Sequence, residues 1–191
     1  MVKLVKTATE FELSPTLGMN EEVKRLRGVG KQVLHMGFGE GPFPVPERLK
    51  KALVASAHRK EYLPTVGLEQ LRSTVAAYYK KKIGLDTDKF DVIVAPGSKL
   101  ILYALQMAVE GDLLMPVPSW VSYAPQAKML NTKVIKVPTT LDDKGFHIDP
   151  VALRELIKSS RKEGLNPTKI ILNYPSNPTG LTIPENELKE I

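Results

Sequence analysis

The segment KIILNYPSNPTG, residues 169–180, passes from an apolar stretch into a loop with two prolines and two asparagines. The apolar stretch, residues 169–172, predicts a short buried strand. Pro175 and Pro178 each fix a backbone torsion, and an X–Pro bond in such a loop can be cis. A path this restricted suits aiming the Asn177 amide, which both donates and accepts hydrogen bonds, at a ligand. The same composition also fits a stiff connection between two elements.

Short apolar strands precede helices upstream of this loop as well. Strands are predicted at 92–94, 112–117 and 134–137, each followed by a helical pattern. This alternation is typical of right-handed βαβ units, and strands without alternating polar residues indicate burial on both faces. The sequence therefore predicts an α/β fold of three layers, in which helices cover both faces of a mostly parallel sheet. Helices are predicted at 21–27, 47–58, 68–79, 98–109 and 151–162, after Ser119 and from Pro184 onward, and a further short strand at 33–36.

The composition excludes several classes of function. Hydrophobic residues make up 42% of the chain and charged residues 25%, which is enough to bury a core. The net charge of +6 is not gathered in a basic stripe with interleaved aromatic residues, so no nucleic-acid partner is expected. The basic run Lys80–Lys82 lies at a predicted helix end, where cations suit the helix dipole.

The chain has no cysteine, which excludes disulfides, thiolate metal sites and cysteine nucleophiles. The N-terminus lacks the apolar core of a secretory signal. No stretch reaches the roughly 20 apolar residues that span a bilayer. A cytoplasmic protein without a membrane partner or a metal is therefore expected.

Ligands of open α/β sheets bind beyond the carboxyl ends of the strands. Four loops leave such ends here: residues 37–46, 95–99, 117–120 and 173–180. These loops are the places in which functional residues are expected.

The loop APGSK, residues 95–99, turns a predicted strand into a helix. The N–H groups at a helix start form an anion site, to which Ser98 adds a hydroxyl. Lys99 in the first turn opposes the helix dipole unless an anion binds there. The alternative is an ordinary N-cap serine followed by a solvated lysine. The spacing matches neither of the glycine-rich nucleotide motifs.

Trp120 is the one tryptophan of the chain, and it follows a predicted strand directly. A large flat ring at that position can stack on an aromatic cofactor. A tryptophan at the edge of the core is the alternative.

Five segments, taken in order, resemble the class I/II aminotransferases of pyridoxal-phosphate (PLP) fold type I. The resemblance runs from about residue 33 to the end and implies an incomplete large domain of that fold. The segments are GFGEGPFPVPE (37–47), KEYLPTVGLEQLR (60–72), APGSKLIL (95–102), VPSWVSY (117–123) and NYPSNPTG (173–180).

The resemblance implies that Ser98 and Lys99, with the backbone of Gly97, hold the phosphate of PLP. Lys99 departs from the small or hydroxylated residue that relatives often carry at the third position of this turn. It either adds charge to the phosphate site or points outward.

Four further roles are implied by the same resemblance. Trp120 stacks on the pyridine ring of PLP, and Asn177 hydrogen-bonds the phenolic oxygen. Gly39 offers its backbone to the α-carboxylate of the substrate. Tyr62 reaches the cofactor phosphate of a neighbouring subunit, which implies a homodimer with shared active sites.

The catalytic groups of the family are expected beyond Ile191. The Schiff-base lysine, the aspartate on the pyridine nitrogen and the arginine that grips the substrate carboxylate belong to the second half of the family, and no matching motif occurs here. The last predicted helix reaches Ile191 without a C-cap glycine, which predicts a longer protein. Residues 1–45 are expected to form an N-terminal arm and part of a small domain, and residues 46–191 the first part of the PLP-binding domain.

The implied function is that of the N-terminal portion of a PLP-dependent aminotransferase. Such an enzyme moves an amino group between an amino acid and a 2-oxo acid, and the chain alone lacks the nucleophile. A PLP lyase or synthase can share these loops. A non-catalytic fragment with only a phosphate site and an unrelated nucleotide-binding domain are the alternatives from other classes; NYPSNPTG and the missing nucleotide fingerprints disfavour the latter.

Overall fold

The structure, a computed structural model, describes residues 2–9, 14–37, 39, 41, 43–142 and 145–191. The chain forms two compact units. The sheet unit comprises Met1–Lys31 and Ile101–Ile191, and the helical unit comprises Gln32–Leu100. No helix within the described residues has the length and apolar character needed to cross a bilayer.

Helices and strands alternate along the second half of the chain, as the sequence predicts. The elements are α1 (Lys6–Thr9), α2 (Pro15–Gly28), α3 (Glu47–Ser56), α4 (Glu69–Ile83), α5 (Ser98–Ala108), β1 (Asp112–Val117), α6 (Tyr123–Met129), β2 (Val134–Pro138), β3 (Thr140–Asp142), β4 (Gly145–His147), α7 (Pro150–Lys162), β5 (Pro167–Ile170) and α8 (Glu185–Glu190).

Three strands of the sheet unit form a parallel sheet in the order β2-β1-β5. Leu113 of the central strand pairs with Val134 of β2, and Leu114 pairs with Ile170 of β5. Both neighbours of β1 are parallel to it, which confirms the predicted parallel sheet.

Helices cover both faces of this sheet. Successive side chains of β1 point to opposite faces. Leu114 packs with Leu153 of α7 on one face. Leu113 packs with Tyr123 and Ala127 of α6, and with Leu102 of α5, on the other. The three-layer prediction is confirmed.

Hydrogen bonds connect the start of β1 to the segments that precede β2 and β5. The Asp112 carboxylate accepts hydrogen bonds from the backbone N–H of Lys133 at 3.0 Å and of Asn166 at 2.7 Å. Thr168 of β5 donates its hydroxyl to the carbonyl of Glu110. One carboxylate thereby fixes the register at this end of the sheet.

Two charged side chains cap the ends of the surrounding helices. Asp149 accepts hydrogen bonds from the N–H of Val151 and Ala152 at the start of α7. Lys169 of β5 donates to the carbonyls of Gln106 at 3.1 Å and Val109 at 2.8 Å, at the end of α5. A cation at this position satisfies carbonyls that lack an intrahelical partner and suits the helix dipole.

In the helical unit, Arg72 of α4 binds the segment that precedes α5. Its Nε donates to the Val92 carbonyl at 2.6 Å, and its guanidinium pairs with Asp91 at 2.5 Å and Glu69 at 2.8 Å. The basic run Lys80–Lys82 lies in the last turn of α4, as predicted.

The predicted strands at 92–94 and 33–36 are wrong, because neither segment belongs to a β-ladder. The backbone of the first segment bonds elsewhere, with the Val94 N–H donating to the Val66 carbonyl at 3.0 Å. A short apolar run does not by itself distinguish a strand from other buried backbone.

An antiparallel hairpin of β3 and β4 was not predicted. It pairs Thr140 with His147 and Leu141 with Phe146. Strands of three residues are too short to show a period of two in the sequence.

Candidate functional site

A cleft open to solvent lies at the carboxyl ends of β1 and β5 in the sheet unit. Its empty volume, including the part open to solvent, is about 400 Å³. Ser119 and Tyr123 line it after β1, Thr139 after β2, and Asn173 and Asn177 after β5. The cleft is therefore at the sheet edge where the sequence predicts ligand binding.

The loop of residues 173–180 forms one wall of this cleft. The Tyr174–Pro175 and Asn177–Pro178 bonds are both cis. The Ser176 N–H donates to the Leu181 carbonyl at 2.8 Å, and the Gly180 N–H donates to the Ser176 carbonyl at 2.7 Å. These bonds close the loop on itself while Asn177 stays exposed in the cleft wall.

Trp120 packs beside the cleft. Its ring meets that of Tyr123 edge to face, at a centroid distance of 5.4 Å and an interplanar angle of 83°. Tyr123 is 5% exposed and lines the cleft. Trp120 itself is half-buried against the core cluster of Leu113 and Met115. Trp120 therefore lies at the edge of the core and next to the cleft, a position that is compatible with both interpretations of the sequence.

Two tyrosines of the cleft wall stay neutral near neutral pH. Burial raises the pKa of Tyr123. Burial, and after it the charge of the Glu187 carboxylate, raises the pKa of Tyr174. Both phenols therefore serve as neutral polar groups in this wall.

Two cleft residues were missed by the sequence reasoning. Thr139 donates its hydroxyl to the Val117 carbonyl at 2.6 Å, which ties the end of β2 to the end of β1. Phe146 enters the cleft from β4. The hairpin that carries Phe146 gave no strand pattern, so no sequence signal could have placed it there.

The residues of the predicted phosphate turn lie in the helical unit. Gly97 has a φ of +96°, and a Cβ atom added there would meet no heavy atom within 4 Å. Ser98 is the first residue of α5, which has 11 residues, and both Ser98 and Lys99 are exposed. The first N–H groups of a helix have no intrahelical acceptor. An open helix start with a hydroxyl and a cation fits a phosphate group.

Tyr62 and Gly39 also lie in the helical unit. Tyr62 is fully exposed, and the described backbone of Gly39 is exposed too. Phe38, Glu40 and Pro42 of the predicted substrate loop lie outside the described residues. Roles for Tyr62 and Gly39 stay predictions.

Comparison with known proteins identifies a family and individual relatives that this chain resembles. A family model described as aminotransferase class I and II matches residues 31–191. An aspartate aminotransferase of Bacillus subtilis is 31% identical over 195 residues, which cover 100% of this chain and 48% of that protein. An asparagine–oxo-acid transaminase of Streptococcus mutans is 34% identical over 198 residues, which cover 100% and 48%.

A solved structure matches the whole chain as well. The aspartate aminotransferase from Thermus thermophilus with maleate gives a TM-score of 0.85 at 28% identity, over 100% of this chain and 49% of that one. The likeness confirms the fold class that the sequence predicts. The chain spans about half the length of the curated relatives it matches.

Proposed function

Because the chain belongs to the class I and II aminotransferases, we propose that it is the N-terminal portion of an enzyme that moves an amino group between an amino acid and a 2-oxo acid. The observation that carries the proposal is the cleft at the carboxyl ends of β1 and β5, with Asn177 in its wall. The two curated relatives named above are both aminotransferases, which favours this reaction over lyase or synthase chemistry.

Members of this family depend on pyridoxal 5′-phosphate, which acts as an electron sink when it is bound. In the sheet unit, the Asn177 amide is proposed to hydrogen-bond the phenolic oxygen of the cofactor, and Trp120 to stack on its ring. In the helical unit, the Ser98 hydroxyl and the Lys99 ammonium, with the backbone of Gly97, are proposed to hold the phosphate. The open space beside Gly97 and the exposure of Ser98 support this assignment.

The assembly and the substrate contact are further parts of the proposal. The full exposure of Tyr62 supports a contact with the cofactor phosphate of a second subunit, and hence a homodimer. Gly39 is proposed to offer its backbone to the substrate carboxylate. We expect the 191-residue chain by itself to be inactive and the whole enzyme to work in the cytoplasm.

The test of the activity uses the full-length protein, a panel of amino donors and 2-oxoglutarate. Glutamate should form with at least one donor and only when PLP is present. The protein should also show visible absorbance that borohydride removes. A full-length protein that stays colourless after PLP is added would contradict the proposal.

Replacing Ser98 by alanine should weaken PLP binding by the full-length protein by about 10- to 150-fold, because a hydrogen bond to a charged group contributes about 1.5–3 kcal/mol. Equilibrium dialysis measures the affinity, and far-UV circular dichroism checks the fold. The matched control is Ser56→Ala at the exposed end of α3, which should bind PLP as the wild type does. An unchanged affinity in Ser98→Ala would rule out the phosphate role.

Replacing Asn177 by alanine should weaken PLP binding about fivefold, since a neutral hydrogen bond contributes about 1 kcal/mol net. Asn177 is exposed, so the variant should keep its stability. Asn186→Ala, on the exposed surface of α8, is the matched control. Equal losses of affinity in the two variants would count against a specific contact.

A further inference from the structure

His147 of the β3–β4 hairpin lies between two carboxylates. Its Nδ1 is 2.7 Å from Glu187 Oε2, and its Nε2 is 2.9 Å from Asp142 Oδ1. Carboxylate oxygens accept hydrogen bonds, and a neutral imidazole carries a proton on one nitrogen. Two carboxylate partners therefore require both nitrogens to donate, which selects the imidazolium form.

Glu187 also binds the backbone directly after β4. Its second oxygen, Oε1, accepts a hydrogen bond from the Ile148 N–H at 2.6 Å. The side chains of His147 and Glu187 are only 21% and 13% exposed. One carboxylate of α8 thus holds both the side chain of His147 and the main chain beside it.

The neighbour of His147 in β4 is the cleft residue Phe146. Successive side chains of a strand point to opposite sides. Phe146 lines the cleft, whereas His147 meets Glu187 of α8. The contact between His147 and α8 is therefore made by the residue next to Phe146 in β4, on the opposite side of the strand.

We propose that His147 is a positioning residue which, in its protonated form, holds the β3–β4 hairpin on α8 and so keeps Phe146 in the wall of the cleft. We call Asp142, His147 and Glu187 the His147 clamp. That the cleft takes a cofactor rests on the proposed function, whereas the clamp itself rests on the contacts above.

The charges around the imidazole support a proton-dependent clamp. The hydrogen bond to Glu187, followed by the one to Asp142, raises the pKa of His147 above its ordinary value, against a smaller opposing effect of burial. Among the described residues, the groups that face the clamp are Asp142 from β3, Glu187 from α8 and the phenol of Tyr174, which feels the charge of Glu187.

The pH dependence follows from this direction. Because the pKa of His147 is higher in the closed state, the clamp contributes fully below about pH 6.5, the ordinary histidine value. The contribution is lost as the pH rises through the pKa of the closed state. The opening equilibrium should change by about tenfold for each unit by which closure raises the pKa of His147.

The experiment uses the full-length protein without cofactor, so that its outcome does not depend on the proposed function. Proton NMR follows the titration of the His147 ring, and hydrogen exchange reports protection factors for the amides of Phe146, Ile148 and α8. The variants are His147→Gln, which removes the charge, and His147→Arg, which keeps a permanent cation with several donors.

In the wild type, His147 should titrate above the ordinary value, and the protection factors should fall as the pH rises above about 6.5 and through the pKa of His147 in the closed state. Protection should be low and independent of pH in His147→Gln. In His147→Arg it should be restored and likewise independent of pH. If His147 had a purely structural role, His147→Arg would not restore high protection factors that are independent of pH. If His147→Gln does not fold, the wild-type titration decides, and an ordinary pKa of His147 overturns the proposal.

Discussion

Replacement of Leu113 by alanine is expected to lower the free energy of unfolding of the 191-residue chain by about 3 kcal/mol. Leu113 is 0% exposed in the central strand β1, and it packs against Met115, Tyr123 and Ala127. Its neighbours belong to a sheet and a helix that cannot both move into the space, so a cavity remains. Lost apolar burial and this cavity add to each other.

Urea unfolding followed by circular dichroism measures this loss. Leu141→Ala is the matched control, because Leu141 is 64% exposed in β3. The control should change the free energy of unfolding by less than about 0.5 kcal/mol. Similar losses in the two variants would mean that Leu113 is not part of a close-packed core.

Replacement of Gly111 by alanine should be as damaging, with an expected loss of about 3 kcal/mol from overpacking and backbone strain. Gly111 has a φ of +97°, which L side chains rarely adopt. A Cβ atom there would overlap Thr168 Oγ1 and lie 2.6 Å from the Asn166 carbonyl oxygen. Both partners belong to the segment that fixes the start of β5, so relief of the clash would disturb the sheet.

Gly164→Ala separates the two causes. Gly164 has a similar φ of +82°, yet a Cβ atom there meets nothing within 4 Å. Its replacement should cost about 1 kcal/mol, the cost of the left-handed conformation alone. The same urea experiment on both variants gives the difference that is due to the clash. Equal losses would show that the backbone next to Thr168 yields to the added methyl group.

The central strand shows why part of the fold can be read from the sequence. Asp112–Val117 begins and ends where the sequence predicts, since an apolar run lies between two loop signals, Gly111 and Pro118. The same rule fails at residues 92–94. There the Val92 carbonyl accepts a hydrogen bond from the side chain of Arg72, 20 residues upstream, and the Val94 N–H donates to the Val66 carbonyl. Such a tertiary contact has no local signature.

The candidate site divides in the same manner. Asn177 is predicted because its loop is chemically distinctive, with two prolines beside it. Phe146 and Thr139 are not, because their positions depend on a hairpin of two three-residue strands and on a hydrogen bond to Val117. Loops that carry unusual composition are visible in a sequence. Residues that tertiary packing places next to such loops are not visible in the sequence.

The order β2-β1-β5 has a consequence for synthesis on the ribosome, since both partners of the central strand follow it in the chain. Asp112 and its partner Asn166 are 54 residues apart. At about 5–20 residues per second, roughly three to eleven seconds separate their translation. During that interval the edge of β1 that later pairs with β5 presents unpaired backbone groups, and such an edge can pair with other chains. We therefore expect the nascent chain to be most prone to aggregation, and most in need of a chaperone, before Ile170 emerges.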